Sequence, residues 1–406
     1  MTGSGEGSQG GGGATGCLLR GMIRRDPEEE HRVATPLELL FDLCFVVAVA
    51  QAGTRLEHAL VEGHAAHGIV GYAMIFFAVW WAWMNFTWFA SAYDTDDVPY
   101  RLTTLLQIAG VLVLAAGVPR AFDRSDYSIV VVGYVVMRLA LTTQWLRAAR
   151  AERGAARTTA LRYAFGVVLV QIGWVAFGFV PHHQMKAWVF LLLAAAELAV
   201  PVLAERPSAT AWHPHHIAER YGLFTLIVLG ETVAAATVAV QRALDRGGST
   251  ELLPIAAGGL LLVFSAYWTY FVVPIHEHLR GGRSAFLWGY GHYLVFATAA
   301  AIGAGLQVAI AHVAGDAHIG TATAAASVTV PAAGFVFFTW LLHARHFKRS
   351  LGQQAVLPLT ALAILACTFA GSWAVLCAGA AAALSVAVSL SLGHRIGGSE
   401  GVRDMR

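Results

Sequence analysis

Long apolar runs alternate with short polar breaks along this chain, a pattern that predicts helices crossing a bilayer. The first run, Thr35 to Gly53, reads TPLELLFDLCFVVAVAQAG. Further runs follow at 66–91, 100–122, 127–148, 158–180, 185–204, 214–240, 252–275, 284–314, 321–344, 354–371 and 373–393. Each is near or above the roughly 20 residues that one crossing needs. The expected fold is all-α: a polytopic integral membrane protein of about twelve transmembrane helices. The thinnest division lies at Gly371 and Ser372, where a tight helical hairpin is expected.

The runs group into two six-helix halves, 33–206 and 207–394, between a tail at 1–32 and another at 395–406. The seventh run, HHIAERYGLFTLIVLGET, brings Glu219 before an apolar stretch, as the first brings Glu38. The second (WWAWMNFTWF) and eighth (AYWTYF) are both dense in aromatics. Duplicated halves would set equivalent polar helices side by side, although aromatic runs arise in membrane proteins without duplication. The N-terminal tail, Gly-rich and then highly charged (RRDPEEEHR), has the composition of a disordered segment. With the N-terminus inside, Arg147, Arg150, Arg153, Arg157 and Arg162 fall in one inner segment, while the outer loops hold Arg55, Arg120, Arg124, Lys186, Arg242 and Arg246. The full count favours both termini in the cytoplasm, against only the acidic inner loop with Asp94, Asp96 and Asp97.

Composition narrows the class further. Of 406 residues, 57% are hydrophobic and 13% charged, and mean hydropathy is +0.60, values that belong to membrane proteins. A formal charge of +2 gives no reason to expect nucleic acid. Cys17, Cys44, Cys367 and Cys377 form no CxxC pair, so they read as packing residues rather than a disulfide framework. The first apolar run begins too late for a cleavable signal peptide.

Charges inside apolar runs are the candidate chemistry. Glu38 and Asp42 stand four apart, so on a helix both point the same way, into protein or a watery cavity. They suit a protonatable or ion-coordinating pair; the alternative puts Glu38 at headgroup level, favoured by the helix N-terminus. In the seventh run Arg220 and Glu231 are about three turns apart, which puts them on one face with His216, and Glu219 lies one step round. That face reads either as a polar lining, with Arg220 paired to Asp42 or Glu38, or as a buried ion pair that fixes register. Arg138 and Glu197 complete the set; Arg138 can pair with Glu197, Asp42 or Glu231, or snorkel toward the cytoplasm.

Other groups carry blander readings. His213, His215 and His216 precede the seventh run, and His276, Glu277 and His278 follow the eighth, but their spacings match no familiar metal motif. Asp94, Asp96 and Asp97 lack the Gly and distal Glu of an EF-hand, which leaves a loop cluster pairing Arg101. Trp80, Trp81, Trp83 and Trp88 can cage a flat or cationic ligand, or simply pack. No nucleotide loop, zincin motif or nucleophile elbow appears, so a soluble-type enzyme mechanism has no foothold and an enzyme is not expected; a cofactor is left unknown.

TPLELLFDLCFVVAVAQ, WWAWMNFTWFASAYDTDDVPYRLTTLLQIAGVLVLAAGVPRAF, VVGYVVMRLALTTQWLRAA and HHIAERYGLFTLIVLGET resemble the bacterial low-temperature-requirement A family, from about Arg32 to the 390s. The resemblance implies a multi-helix membrane protein with no settled activity. LFDLCFVVAVAQ is also similar to the FSDGVFAIAITLL-type first helix of the two-repeat potassium channels of lysosomes and bacteria. Asp42 and Phe45 fit that motif; Phe41 replaces its serine, Leu40 its phenylalanine, and the preceding arginine is absent. The expected function is a transporter of an unidentified small solute or cation, coupled to protons or cations, with these charges lining or bracing its interior. Its rivals are a cation channel, and a membrane sensor or scaffold of cold or envelope stress.

Overall fold

Every regular element is helical among the residues described by the computed structural model, which are 20–26, 29, 32–180, 183–245, 247, 250–279, 282–348 and 350–403. Among them, twelve helices are long and apolar enough to cross a membrane. In chain order these are α1 (Pro36–Val61), α2 (Ala65–Tyr93), α3 (Val98–Arg124), α4 (Ser128–Ala151), α5 (Gly154–Phe177) and α6 (His183–Ala204). There follow α7 (Pro214–Asp245), α8 (Leu252–Phe271), α9 (Gly282–Val313), α10 (Thr321–Leu342), α11 (Leu351–Ala366) and α12 (Ala374–Arg403). The protein is an all-α, multi-pass membrane protein.

Local chemistry sets the helix ends. The Glu38 N–H donates to Thr35 Oγ1 at 3.3 Å, and the Thr35 N–H donates back to the Glu38 carboxylate at 2.8 Å. This reciprocal cap starts α1, with Pro36 in the first turn, where a missing N–H is harmless. Asp97 starts α3 by accepting from the Tyr100 N–H at 2.9 Å. The last hairpin is tight as expected: α11 ends in 3-10 turns, and Gly371 at φ 63° turns the chain into α12. Helical backbone then runs on to Arg403, into the stretch expected as a C-terminal tail.

Short connections make successive helices antiparallel. We call the side where α1 begins the near face and the opposite side the far face. The most enclosed helix is α2, whose Phe76, Trp80, Trp81, Trp83, Phe86 and Phe89 are all buried. The outer side of α1 exposes Leu40, Leu43 and Val47, an apolar stripe suited to lipid, while Phe41, Phe45 and Ala48 turn inward.

Part of the packing order repeats in both sets of six, although α8 packs closely on α12 while α2 hardly meets α6. The first helix of each packs closely on the third, the third on the fourth, and the fourth on the fifth, whereas the second barely meets the third. Close crossings recur at one step, and a further one, of Gly258 with Val375 and Gly379 between α8 and α12, belongs to the second set. Gly110 meets Gly133 between α3 and α4, and Gly305 meets Ser327 between α9 and α10. A Cβ on Gly133 would lie 2.5 Å from the Gly110 carbonyl oxygen, so only glycine permits that approach.

Part of the stretch expected as an N-terminal tail packs against the near face. Met22 is buried, the Arg25 N–H donates to the Ala92 carbonyl at 2.9 Å, and the Arg32 guanidinium donates to the carbonyls of Ser91 and Ala90. The last-turn carbonyls of α2 give this charged segment its partners, that of Ala90 while also accepting from the Asp94 N–H. Cys17, Arg246 and the other residues of 1–32 and 395–406 not named above lie outside the described residues.

Candidate functional site

Two carboxylates of α1 meet one guanidinium of α7 inside the helix bundle. Asp42 accepts from Arg220 Nη2 at 2.6 Å and Nε at 3.1 Å, and from the Trp83 indole N–H at 2.6 Å. Arg220 Nη1 lies 2.8 Å from Glu38 Oε1, which also stands 3.2 Å from His216 Nε2. All four of these ionisable side chains are fully buried within the protein. A sequence offset of 178 residues separates both contacting pairs, Glu38 with His216 and Asp42 with Arg220. Pro36 and Pro214, which open the two helices, share that offset. Positions on α1 therefore face their counterparts on α7.

Charge counting shows what this cluster can do. Two carboxylates and one guanidinium leave it at −1 with His216 neutral, and one added proton neutralises it. Uncompensated charge is expensive when buried, so a proton or a monovalent cation is what the arrangement accommodates. Asp94 closes the near side, 3.9 Å from Arg32 and 3.8 Å from Arg25. Burial, and then the nearby Glu38 charge, push its carboxyl up to about 6. Glu219 stays apart from the cluster, half-buried and accepting from the Ala34 N–H at 3.2 Å.

Arg138 makes its ion pair with Glu197 alone of the partners considered, at 2.9 Å, with both side chains 2% exposed. It does not snorkel, because Glu197 compensates it in place. The Glu197 carboxylate also accepts from the Trp81 and Trp174 indoles at 2.8 and 3.1 Å and from the Tyr134 hydroxyl at 3.2 Å. This pair braces α4 against α6 and touches neither Asp42 nor Glu231.

Glu231 belongs to a different place. It lines a far-face vestibule of about 490 Å³ between α1, α7 and α9, with Thr54, Glu57, His58, Arg242 and Gln307. A narrow crevice of about 30 Å³ continues inward past Val49, Gly53 and Thr232. Glu231 and Arg220 do share the side of α7 toward α1, yet they stand about 16 Å apart along the axis. Between them pack Trp83 and Phe224, stacked at 4.5 Å, with Phe296 5.0 Å from Phe224. The continuous polar lining expected along α7 is thus two sites with an aromatic layer between.

The structure also decides among the readings of the remaining groups. Of the three loop acids only Asp96 pairs Arg101, at 2.7 Å, while Asp97 caps α3 and pairs Arg147 at 2.6 Å. Trp80, Trp81 and Trp83 form no open cage: all three are buried, and two serve as hydrogen-bond donors to buried carboxylates. His213 Nε2 lies 2.8 Å from the Glu29 carbonyl, and His278 stacks on His346 at 3.9 Å. Composition-level reasoning passed over Gln107 and Gln144, joined at 3.0 Å between α3 and α4, and over His292, 3.1 Å from His343. Their polarity inside apolar runs was the available signal.

Comparison with known proteins covers most of the chain. A family model described as bacterial low temperature requirement A protein (LtrA) matches residues 33–390. An uncharacterized protein of Rhizobium meliloti (strain 1021) is 27% identical over 256 residues, which is 61% of this chain and 60% of that protein. The match thus covers less than two thirds of that relative's length.

Proposed function

The chain belongs to the bacterial low-temperature-requirement A family, and for this member we propose an integral membrane transporter coupled to protons or cations. The observation that carries the reading is the stacking of parts along one axis. A vestibule ends at Glu231, an aromatic layer follows, and beneath it lies a cluster that one proton neutralises, covered on the near side by the N-terminal segment. A solute enters the vestibule, and a proton on the Glu38–Asp42–Arg220–His216 cluster shifts the balance between α1 and α7. The shared 178-residue offset and the partly repeated packing order support two duplicated halves, 33–206 and 207–394, that move against each other about these helices. The excess of arginine on the near side supports a cytoplasmic near face in the bacterial inner membrane. A channel needs a continuous polar path, and the packed Trp83, Phe224 and Phe296 favour alternating access over it.

Access to the layer between the two sites tests the proposal. Ala48 is fully buried there, and cysteine is small enough to replace it. In a variant whose native cysteines are replaced by alanine, Ala48→Cys should resist a membrane-impermeant thiol reagent at rest and react once a proton gradient is imposed. A thiol that no reagent reaches from either side, under any gradient, contradicts transport and favours the scaffold.

A further inference from the structure

The vestibule and the narrow crevice below it share the lining residues Thr54, Glu231, Ala235 and Gln307. Three of these side chains carry oxygen, one each from α1, α7 and α9. No described residue donates to the Glu231 carboxylate, the Thr54 hydroxyl or the Gln307 amide oxygen, and none of these atoms is sealed inside the packing. The Gln307 amide nitrogen donates to the Gly303 carbonyl at 3.5 Å, so its oxygen is the end left for the cavity.

Charge and size select what can sit there. Among the described residues lining the vestibule, the carboxylates of Glu57, Glu231 and Asp316 stand against Arg242, which leaves −2 with His58 neutral. Such a wall repels an anion and draws a cation. Thr54 and Gln307 lie about 10 Å inside the far ends of α1 and α9, where a cation needs its lost hydration replaced. Three oxygen acceptors around one point suit a primary ammonium, which has three N–H donors. The crevice, of about 30 Å³, takes a head group the size of one water. Above it, the vestibule of about 490 Å³ has Val61, Val238 and Ile310 in its wall. An inorganic ion would leave that apolar wall to water, whereas hydrocarbon attached to an ammonium covers it.

We propose that the solute is a protonated primary amine with a small apolar body. Its ammonium donates to Glu231, Thr54 and Gln307 at the mouth of the crevice, and its body lies against Val61, Val238 and Ile310. This assignment rests on the transport reading and names the solute class of that same vestibule.

The test is calorimetric titration of the purified full-length protein with hexylamine, which is protonated at about pH 7. Three matched probes accompany it: hexanoate reverses the charge, hexanol removes it, and hexyltrimethylammonium keeps it without an N–H. Hexylamine should bind saturably and about tenfold or more tighter than each of the three. Glu231→Gln should weaken it about tenfold or more, and Thr54→Val about threefold. Glu62→Gln, which removes an exposed far-face acid outside the lining, should leave it unchanged. Absence of saturable hexylamine binding, equal affinity for hexyltrimethylammonium, or equal affinity in Glu231→Gln overturns the assignment. Flux in liposomes separates this from the transport reading. Proton or potassium movement without amine binding removes the amine alone. Amine binding at Glu231 without movement of protons, potassium or amine upholds the site and removes transport.

Discussion

Replacing Arg220 by methionine would leave two buried carboxylates without their counter-charge, and the consequences can be worked from the contacts. Arg220 makes two hydrogen bonds to Asp42, at 2.6 and 3.1 Å, and an ion pair with Glu38 at 2.8 Å. Removing one partner of such a buried pair costs about 3–5 kcal/mol. Asp42→Asn is a smaller change. Arg220 keeps Glu38, the amide oxygen still accepts from the Trp83 indole, and the cluster moves from −1 to neutral, so the loss should be about 1–3 kcal/mol. The two changes must couple, because Arg220→Met is harmful through the stranded Asp42 charge; about 2 kcal/mol of the summed loss should disappear in the double variant. Thermal midpoints of detergent-purified protein at one fixed scan rate read this out. The expected order is wild type, then Asp42→Asn, with Arg220→Met and the double variant lowest and close together. A double variant that falls by the full sum, or an Arg220→Met no worse than Asp42→Asn, would refute the charge accounting.

Two further expectations concern the near face and the packing. Asp94 has its carboxyl raised to about 6 from 3.8 by burial and then by the Glu38 charge, with Arg32 and Arg25 pulling the other way, so between those values the folded state binds more protons than the unfolded one. The stability this group contributes is therefore fully present below about pH 4, falls as pH rises to about 6 by at most about 3 kcal/mol, and is flat above. The thermal midpoint of the wild type relative to that of Asp94→Asn should fall over that range; a difference that stays level or grows with pH would contradict it. At the α3–α4 crossing, Gly133→Leu should force the helices apart and lower the thermal midpoint well beyond Gly230→Leu, where a Cβ meets nothing within 4 Å. Equal midpoints would show that the close crossing does not matter.

Much of this architecture was legible along the chain. Apolar length and breaks give the twelve crossings, since a bilayer imposes a nearly fixed span on each. Helical spacing also gave the faces: Glu38 with Asp42, and His216 with Arg220, do point together. It could not choose partners, because spacing within a helix says nothing of which helix lies opposite. Arg138 therefore remained open among three acids until α6 was seen beside α4. Spacing also could not show that Glu231 and Arg220, although on one side of α7, are separated by Trp83 and Phe224. The indole donors were hidden for a related reason: Trp81 and Trp83 count as apolar in a pattern, and only tertiary geometry aims their N–H groups at carboxylates. The charged N-terminal segment was misread as wholly loose because its partners, the end carbonyls of α2 and Asp94, lie more than fifty residues away.

The most direct measurement of transport is flux through the purified protein in sealed liposomes, with potassium- and proton-sensitive dyes and an imposed pH gradient. Wild type, Asp42→Asn and Glu231→Gln should be compared after confirming equal folding and incorporation. Gradient-dependent movement of protons or potassium is expected in the wild type, lost or uncoupled in Asp42→Asn and reduced in Glu231→Gln. Well-folded wild type that moves neither ion, or variants that move both as well as it does, would contradict proton- or cation-coupled transport.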